Sequence, residues 1–443
     1  MLFAVAIGAG IAAPAVATAG TLTVGAGQTY TTLADAVAAS ADGDTIAIHG
    51  GTYHEAVTIT HANITVSGVG ERPILDMTGL AIANGKGILD AAGANFTVEN
   101  VELRGAAVSS QNGAGLRWEG EGTLAVRDCI FRSNEDGILG GDFADNTAVI
   151  ERNEFVDNGR GDVGFTHSVY FGEVDSVTFQ ANWSHALCPD GADIGHLFKS
   201  RAKHNFVLYN RITAEDTHSS YELNMPEGGE AYVIGNLVQQ RVGGQTTMIS
   251  FGDGDGTQTA ASHLYLVNNT MVSESTGAAT FVRTTQSDAQ LVLVNNLFVG
   301  AGTLTSGGVV AAMTANVMTT TPGFVDQAGF DYHLGSGSPA IDSGGDVPTA
   351  PAMPLTPVQQ YVQPSGGEAR AVVGVIDVGA YEFGNVPPVG GDGSGGGTDA
   401  GGGSGDNSGG CCEAGGRGGG GLALGALVAV ALGRRRRAAS APS

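Results

Sequence analysis

Short runs of alternating apolar residues, each interrupted by one polar residue and then resumed, recur along the chain. They read TVENVEL (97–103), AVRDCIF (125–131), VIERNEF (149–155), VTFQANW (177–183), FVLYNRI (206–212), YVIGNLV (232–238), YLVNNTMV (265–272) and LVLVNNLFV (291–299). The matched polar positions are Asn100, Asp128, Asn153, Asn182, Asn210, Asn236, Asn269 and Asn296, spaced by 28, 25, 29, 28, 26, 33 and 27 residues. A second set lies between them: GILGG (137–141), HSVYF (167–171), HLFKS (196–200), SYELN (220–224), TTMISF (246–251) and ATFVRT (279–284). Alternation with period two over a few residues marks β-strands, and recurrence at one spacing marks a repeat.

The spacing is too irregular for leucine-rich repeats and shorter than the ~40–45 residues of a propeller blade. It suits a solenoid of parallel strands in which each turn bonds to the next. Recurrent Asn has two uses there: it tolerates left-handed backbone, and stacked amides can bond from turn to turn. At the start, Thr31 or Thr32 caps an amphipathic helix, LADAVAA, and DTIAIHGGTYHEAVTI (44–59) opens the first turns. Such a helix would plug the open end of the core.

Residues 23–59 followed by Asn-marked turns resemble the right-handed parallel β-helix proteins of the pectin-lyase-like superfamily. The resemblance covers about 22–320 and implies an all-β, right-handed parallel β-helix over 20–337 with a short N-terminal capping helix. SPAIDSGGD (338–346) and GVIDVGAYEF (374–383) resemble the choice-of-anchor-type module that ends anchored bacterial β-helix proteins, which implies a C-terminal unit at 338–384.

Charge narrows the partners. The 443 residues carry 20 Lys and Arg against 44 Asp and Glu, a net of −24, which excludes nucleic acid as the main partner. The ends read as address. Residues 1–19 are apolar and finish Ala17-Thr18-Ala19, a signal-peptide pattern. Residues 385–410 form a Gly/Ser-rich linker. Cys411-Cys412, the apolar stretch 418–433 and Arg434 to Arg437 follow. This order of parts in 411–443 resembles the C-terminal sorting tails of myxobacteria and related bacteria. It implies contact with the membrane or sorting machinery and a secreted, cell-surface, outer-membrane-associated protein. Cys129 and Cys188 fall about two turns apart, ~9–10 Å, too far for a disulfide.

Candidate chemistry gathers in one place. Five of the ten His (167, 185, 196, 204 and 218) and two of the three Lys fall within 167–218. The segment 196–211 carries Lys199, Arg201, Lys203 and Arg211 with no acid, although 20–384 is otherwise strongly acidic. Such an island can hold an anionic group, and Arg suits carboxylates. Strict alternation puts Leu197, Lys199 and Arg201 on one face, with Glu222 and Asn224 outward on the next turn and Glu222 near Lys199. His167, Tyr170 and Arg211 join them as candidate substrate contacts. The alternative is a charged outer face with a Lys–Glu pair and no ligand.

KSRAKHNFVLYN (199–210) resembles the Lys-Ser-x-x-x-Asn turn of the alginate-lyase and chondroitinase-B family. That resemblance implies Lys199 as catalytic base in β-elimination on an acidic, uronate-containing polysaccharide, with Arg201 as its cationic partner. The family's next turn supplies an Arg, whereas SYELNMPEGG (220–229) has none. Hydrolysis stays open through pairs such as Glu215-Asp216 or Glu222 with Glu227. No metal-ligand pattern is complete. Asp253 and Asp255 have Ca²⁺-loop spacing without the terminal Glu, so Ca²⁺ is retained only as a candidate bridge to a uronate. A non-catalytic surface or adhesion role is the competing class.

Overall fold

The computed structural model describes residues 19–385, apart from 161–163, 188–194, 243–244, 255–261, 276 and 278. The predicted leader (apart from Ala19), linker (apart from Asn385), sorting tail and Cys188 lie outside the described residues. The described residues belong to one compact unit.

The chain winds as a right-handed parallel β-helix. Among the described residues it forms three parallel sheets, here called A, B and C, of 12, 11 and 10 strands. One turn visits A, B and C in order: Val174–Gln180, Trp183–His185, then His196–Ser200. The next turn is His204–Leu208, Arg211–Thr213 and Tyr221–Met225, each strand in parallel register with the one above. Inward side chains stack along the axis. Phe131 lies 4.9 Å from Phe155, and Phe179 4.9 Å from Phe198, ring centre to ring centre. This continuous apolar column is the main source of burial.

The helix Leu33–Ala39 (α1) sits at the first turns, as expected. Thr32 is its N-cap, its hydroxyl accepting from Asp35 N, and Glu55 accepts from the amides of Leu33 and Ala34. Leu33 and Ala36 are fully buried in the core.

The Asn column is a continuous amide ladder. Side-chain Nδ2 to Oδ1 bonds of 2.9–3.1 Å run Asn153, Asn182, Asn210, Asn236, Asn269, Asn296 and Asn316. Each Oδ1 also accepts the preceding ladder residue's backbone N–H, for example Asn182 N to Asn210 at 2.9 Å. The expected column is corrected at its first two members. Asn100 and Asp128 lie one position earlier, in the left-handed corner between sheets A and B, both with φ 54°. Cys129 holds the ladder place there, its N–H donating to Asn153. Corner geometry and amide stacking are thus carried by adjacent positions: Arg152, Ala181 and Tyr209 are left-handed, and Asn153, Asn182 and Asn210 stack.

After the last turn the chain runs back outside the solenoid. Tyr332, Leu334, Ala340, Val378, Ala380 and Tyr381 pack on Leu237, Val272 and Leu297 of sheet B. Leu355 packs with Tyr209, Tyr232, Tyr265 and Val292 on the sheet A side. Strands covered on both faces read as unbroken apolar runs such as LVLV, whereas the earlier, uncovered ones alternate. Neither cluster includes a residue of sheet C, so neither covers its outer face.

Candidate functional site

The outer side of sheet C carries one column of residues in register: Tyr170, Lys199 and Arg283, partly exposed, with Asn224 and Ser250 buried between them. Neighbours in the column are ~4.8 Å apart. Lys199 is half-buried, and its Nζ lies 5.2 Å from the centre of the Tyr170 ring. Among the described residues the ammonium has no hydrogen-bond or ion-pair partner. Burial and then the neighbouring Arg201 hold its pKa below the ordinary lysine value, against the opposing pull of Asp253 and Asp136. Arg201 bonds to the buried Glu227 and lies against the Tyr170 hydroxyl. Burial raises the Tyr170 pKa, so the phenol keeps its proton.

Beside this column runs a buried one. Asp136, fully enclosed, accepts the backbone N–H of His167 at 2.7 Å. The rings of His167 and His196 lie 4.8 Å apart, tilted by 51°, with Nδ1 atoms 3.1 Å apart, and Tyr221 follows at 5.4 Å. Burial drives His167 well below the ordinary imidazole value and His196 to about 3, with Lys199 adding to both; the two rings are neutral at physiological pH. Burial pushes Asp136 well above the carboxylate range. The Tyr221 hydroxyl accepts from Arg283 at 2.7 Å, and Arg283 also contacts Ser250 and Asp253, both at 3.3 Å. Asp253 in turn accepts from Ser250 at 2.6 Å and Asn224 at 3.3 Å. A neutral wall therefore backs a short row of cations, hydroxyls and the Asp253 carboxylate.

The structure brings together Lys199, Arg201 and Tyr170, places His167 and Asn224 beside them but buried, away from a substrate's reach, and separates two others from them. Glu222 does not face Lys199. It is fully buried, hydrogen-bonded to Ser219 at 2.7 Å and Gln240 at 3.3 Å, and burial raises its pKa to about 8. Alternation breaks in this sheet because two consecutive residues per strand enter the core: Leu197 with Phe198, Met248 with Ile249, Phe281 with Val282. Glu222 occupies that extra inward place, and Asn224 is the true neighbour of Lys199. Arg211 is the second correction. It lies on sheet B, donates to Phe330 O at 3.1 Å and pairs with Glu215 at 3.6 Å. The basic island is contiguous in sequence and divided between two faces in space.

The sequence reading missed Asp136, His196, Tyr221, Ser250, Glu227 and Arg283 as parts of this face. Consecutive apolar pairs in TMISF and TFVRT carried the signal, because they fix which later residues point outward. Asp253 is placed in the polar row, while Asp255 lies outside the described residues. Among the described residues no group of three or more His, Cys, Asp or Glu is placed to hold a metal ion.

No family model matches the chain, and no curated protein does. Among solved structures it is similar to that of pectate lyase Pel9A, at 13% identity over 83% of this chain and 97% of that one, with a TM-score of 0.49. It is also similar to the pectin methylesterase from Aspergillus niger in its penultimately deglycosylated form. That likeness has 15% identity over 68% of this chain and 85% of that one, with a TM-score of 0.28.

Proposed function

We propose that the open face of sheet C binds an acidic, uronate-containing polysaccharide and that Lys199 acts as the base of a β-elimination. One observation carries the reading: a half-buried lysine of lowered pKa, without an ion-pair partner among the described residues, beside an arginine and a protonated tyrosine. A base whose charged form is disfavoured and a cation for the developing charge are what this chemistry needs. Neutral Lys199 Nζ takes the proton α to the uronate carboxyl group. Arg201 offsets charge on the carboxylate as the enolate forms. The C–O bond to the neighbouring sugar then breaks as the carbon–carbon double bond forms, and the Tyr170 hydroxyl returns a proton to the leaving oxygen. Arg283, partly exposed farther along the column and held by Tyr221 and Asp253, supplies a further cation for an adjoining uronate. The proposed setting is extracellular, from the leader at 1–19 and the tail at 411–443.

The test is incubation of the protein with alginate, polygalacturonate and chondroitin, with and without Ca²⁺, following ultraviolet absorbance of the unsaturated product. Lys199→Ala is expected to lower the rate by ~10²–10⁴, the usual value of a positioned general base. If no substrate is cleaved but Lys199→Ala weakens binding in a salt-dependent way, the face is a binding surface without chemistry. Neither cleavage nor binding of any of the three polymers would refute the reading.

A further inference from the structure

A cavity of about 470 Å³ lies on the other side of the solenoid, where the returning C-terminal segment meets the outer face of sheet B. Its volume falls in the ~300–1,000 Å³ range of small-molecule sites. Trp183, Phe330, Tyr332, Tyr361 and Tyr381 line it, with Arg211 between two of the rings. The Arg211 guanidinium lies 5.8 Å from the Trp183 ring centre and 5.9 Å from that of Tyr332. The indole is held flat against His185, whose ring is 3.6 Å away and nearly parallel. His185 itself is gripped by Glu215 at 3.1 Å and Glu154 at 3.3 Å.

Three donors here are buried and have no hydrogen-bond partner among the described residues: Arg211 Nε, Trp183 Nε1 and Tyr332 Oη. Buried polar groups are normally satisfied, so three together mark a place built for oxygen acceptors. The carboxylate acceptors in the wall are Glu215 and Asp331. Burial opposes ionisation of both. Bonds to His185 for Glu215, and to His333 for Asp331, outweigh it and keep the carboxylates charged. An anionic ligand would meet two carboxylates. A cationic one would meet Arg211, which already occupies the aromatic faces.

We propose that this cavity binds a neutral sugar, one pyranose or a disaccharide end, stacked on the aromatic walls. Its hydroxyls donate to Glu215 and Asp331 and accept from Arg211. The site is separate from the sheet C face and takes a different ligand class from the one proposed there.

Tryptophan emission reads the site directly. The chain has two tryptophans, and Trp118 is fully buried in the solenoid core. The intact protein is titrated with glucose, galactose, mannose, xylose and cellobiose, and with glucuronate and galacturonate as charged counterparts. At least one neutral sugar is expected to give a saturable change, with its uronate at least about tenfold weaker. Asp331→Asn and Glu215→Gln, each checked for native circular dichroism, should weaken that sugar about tenfold, while Lys199→Ala leaves it unchanged. Asp331 is half-exposed on a hairpin, so its variant keeps the test alive if Glu215→Gln fails to fold. The proposal is overturned if no neutral sugar saturates, if the uronates bind as tightly, if both carboxylate variants bind normally, or if Lys199→Ala abolishes the signal.

Discussion

Replacing Asn210 by Ala removes the middle of the amide ladder. Asn210 Oδ1 accepts from Asn182 N at 2.9 Å and from Asn182 Nδ2 at 3.1 Å. Its Nδ2 donates to Phe179 O at 2.7 Å and Asn236 Oδ1 at 2.9 Å. Without it, the buried Asn182 N–H is left with no acceptor. Two of the other groups keep some bonding: Asn182 Nδ2 still reaches Ile150 O, and Asn236 Oδ1 still accepts from Asn210 N. An orphaned buried N–H costs ~1–3 kcal/mol, and each of the other lost bonds ~0.5–1.5 kcal/mol. The expected destabilisation is about 2.5–7.5 kcal/mol. Urea unfolding followed by circular dichroism measures it, with the curves inspected for a second transition, because a solenoid can open turn by turn. Asn316→Ala is the internal control. Asn316 ends the ladder and is only half-buried, so water replaces part of what is lost and the cost should stay below about 2 kcal/mol. If Asn210→Ala lies within 1 kcal/mol of wild type, or costs no more than Asn316→Ala, the ladder does not hold the turns together and the argument fails.

Glu222 gives a pH dependence of definite sign. Its folded pKa of about 8 exceeds the ordinary glutamate value, so the folded state holds the proton longer. That contribution is fully present below about pH 4.5 and is lost as pH rises to about 8; it amounts to roughly 3–5 kcal/mol, and Glu222→Gln should flatten the profile in pH-dependent urea melts. Arg370 and Glu382 form a completely buried ion pair, with Arg370 also donating to Gly379 O and Asp377 O. Arg370→Met leaves the buried Glu382 carboxylate without its counter-ion, held only by the N–H groups of Val373 and Asp377, and should cost about 3–5 kcal/mol, seen as a lower urea midpoint. Deleting 411–443 is expected to move the protein from cells to the medium, measured by fractionation; unchanged retention would count against a sorting role for the tail.

Much of the fold was legible because one physical constraint repeats. A parallel coil must bury the same face at every turn, so the apolar spacing and the Asn positions recur through the whole solenoid. The one slip is instructive. Asn100 and Asp128 look like members of the Asn column, but a left-handed corner also favours Asn and Asp. Two adjacent positions with overlapping residue preferences cannot be told apart by composition. Only the spacing of 25 between Asp128 and Asn153, one more than the 24 between Cys129 and Asn153, separated them.

The site was less legible, for a reason specific to sheet C. Alternation assigns faces only while the pleat is unbroken, and here several strands turn two neighbours inward, as at Leu197 with Phe198 and Met248 with Ile249. Lys199 lies after that break with Phe198 and Ser200 buried on either side, so its outward placement held. Glu222 lies within the break and was reversed. Arg211 failed differently. Proximity in sequence was taken for proximity in space, yet twelve residues carry this chain from sheet C through sheet A to sheet B. In a solenoid, residues a whole turn apart are neighbours, and residues half a turn apart look out on opposite sides. Chemistry in such a fold should therefore be sought down columns, as from Tyr170 through Lys199 and Asn224 to Arg283, and not along segments. The charge island at 196–211 is better understood as two half-sites, one supplying the cations of an open face and the other the single cation of an aromatic cavity.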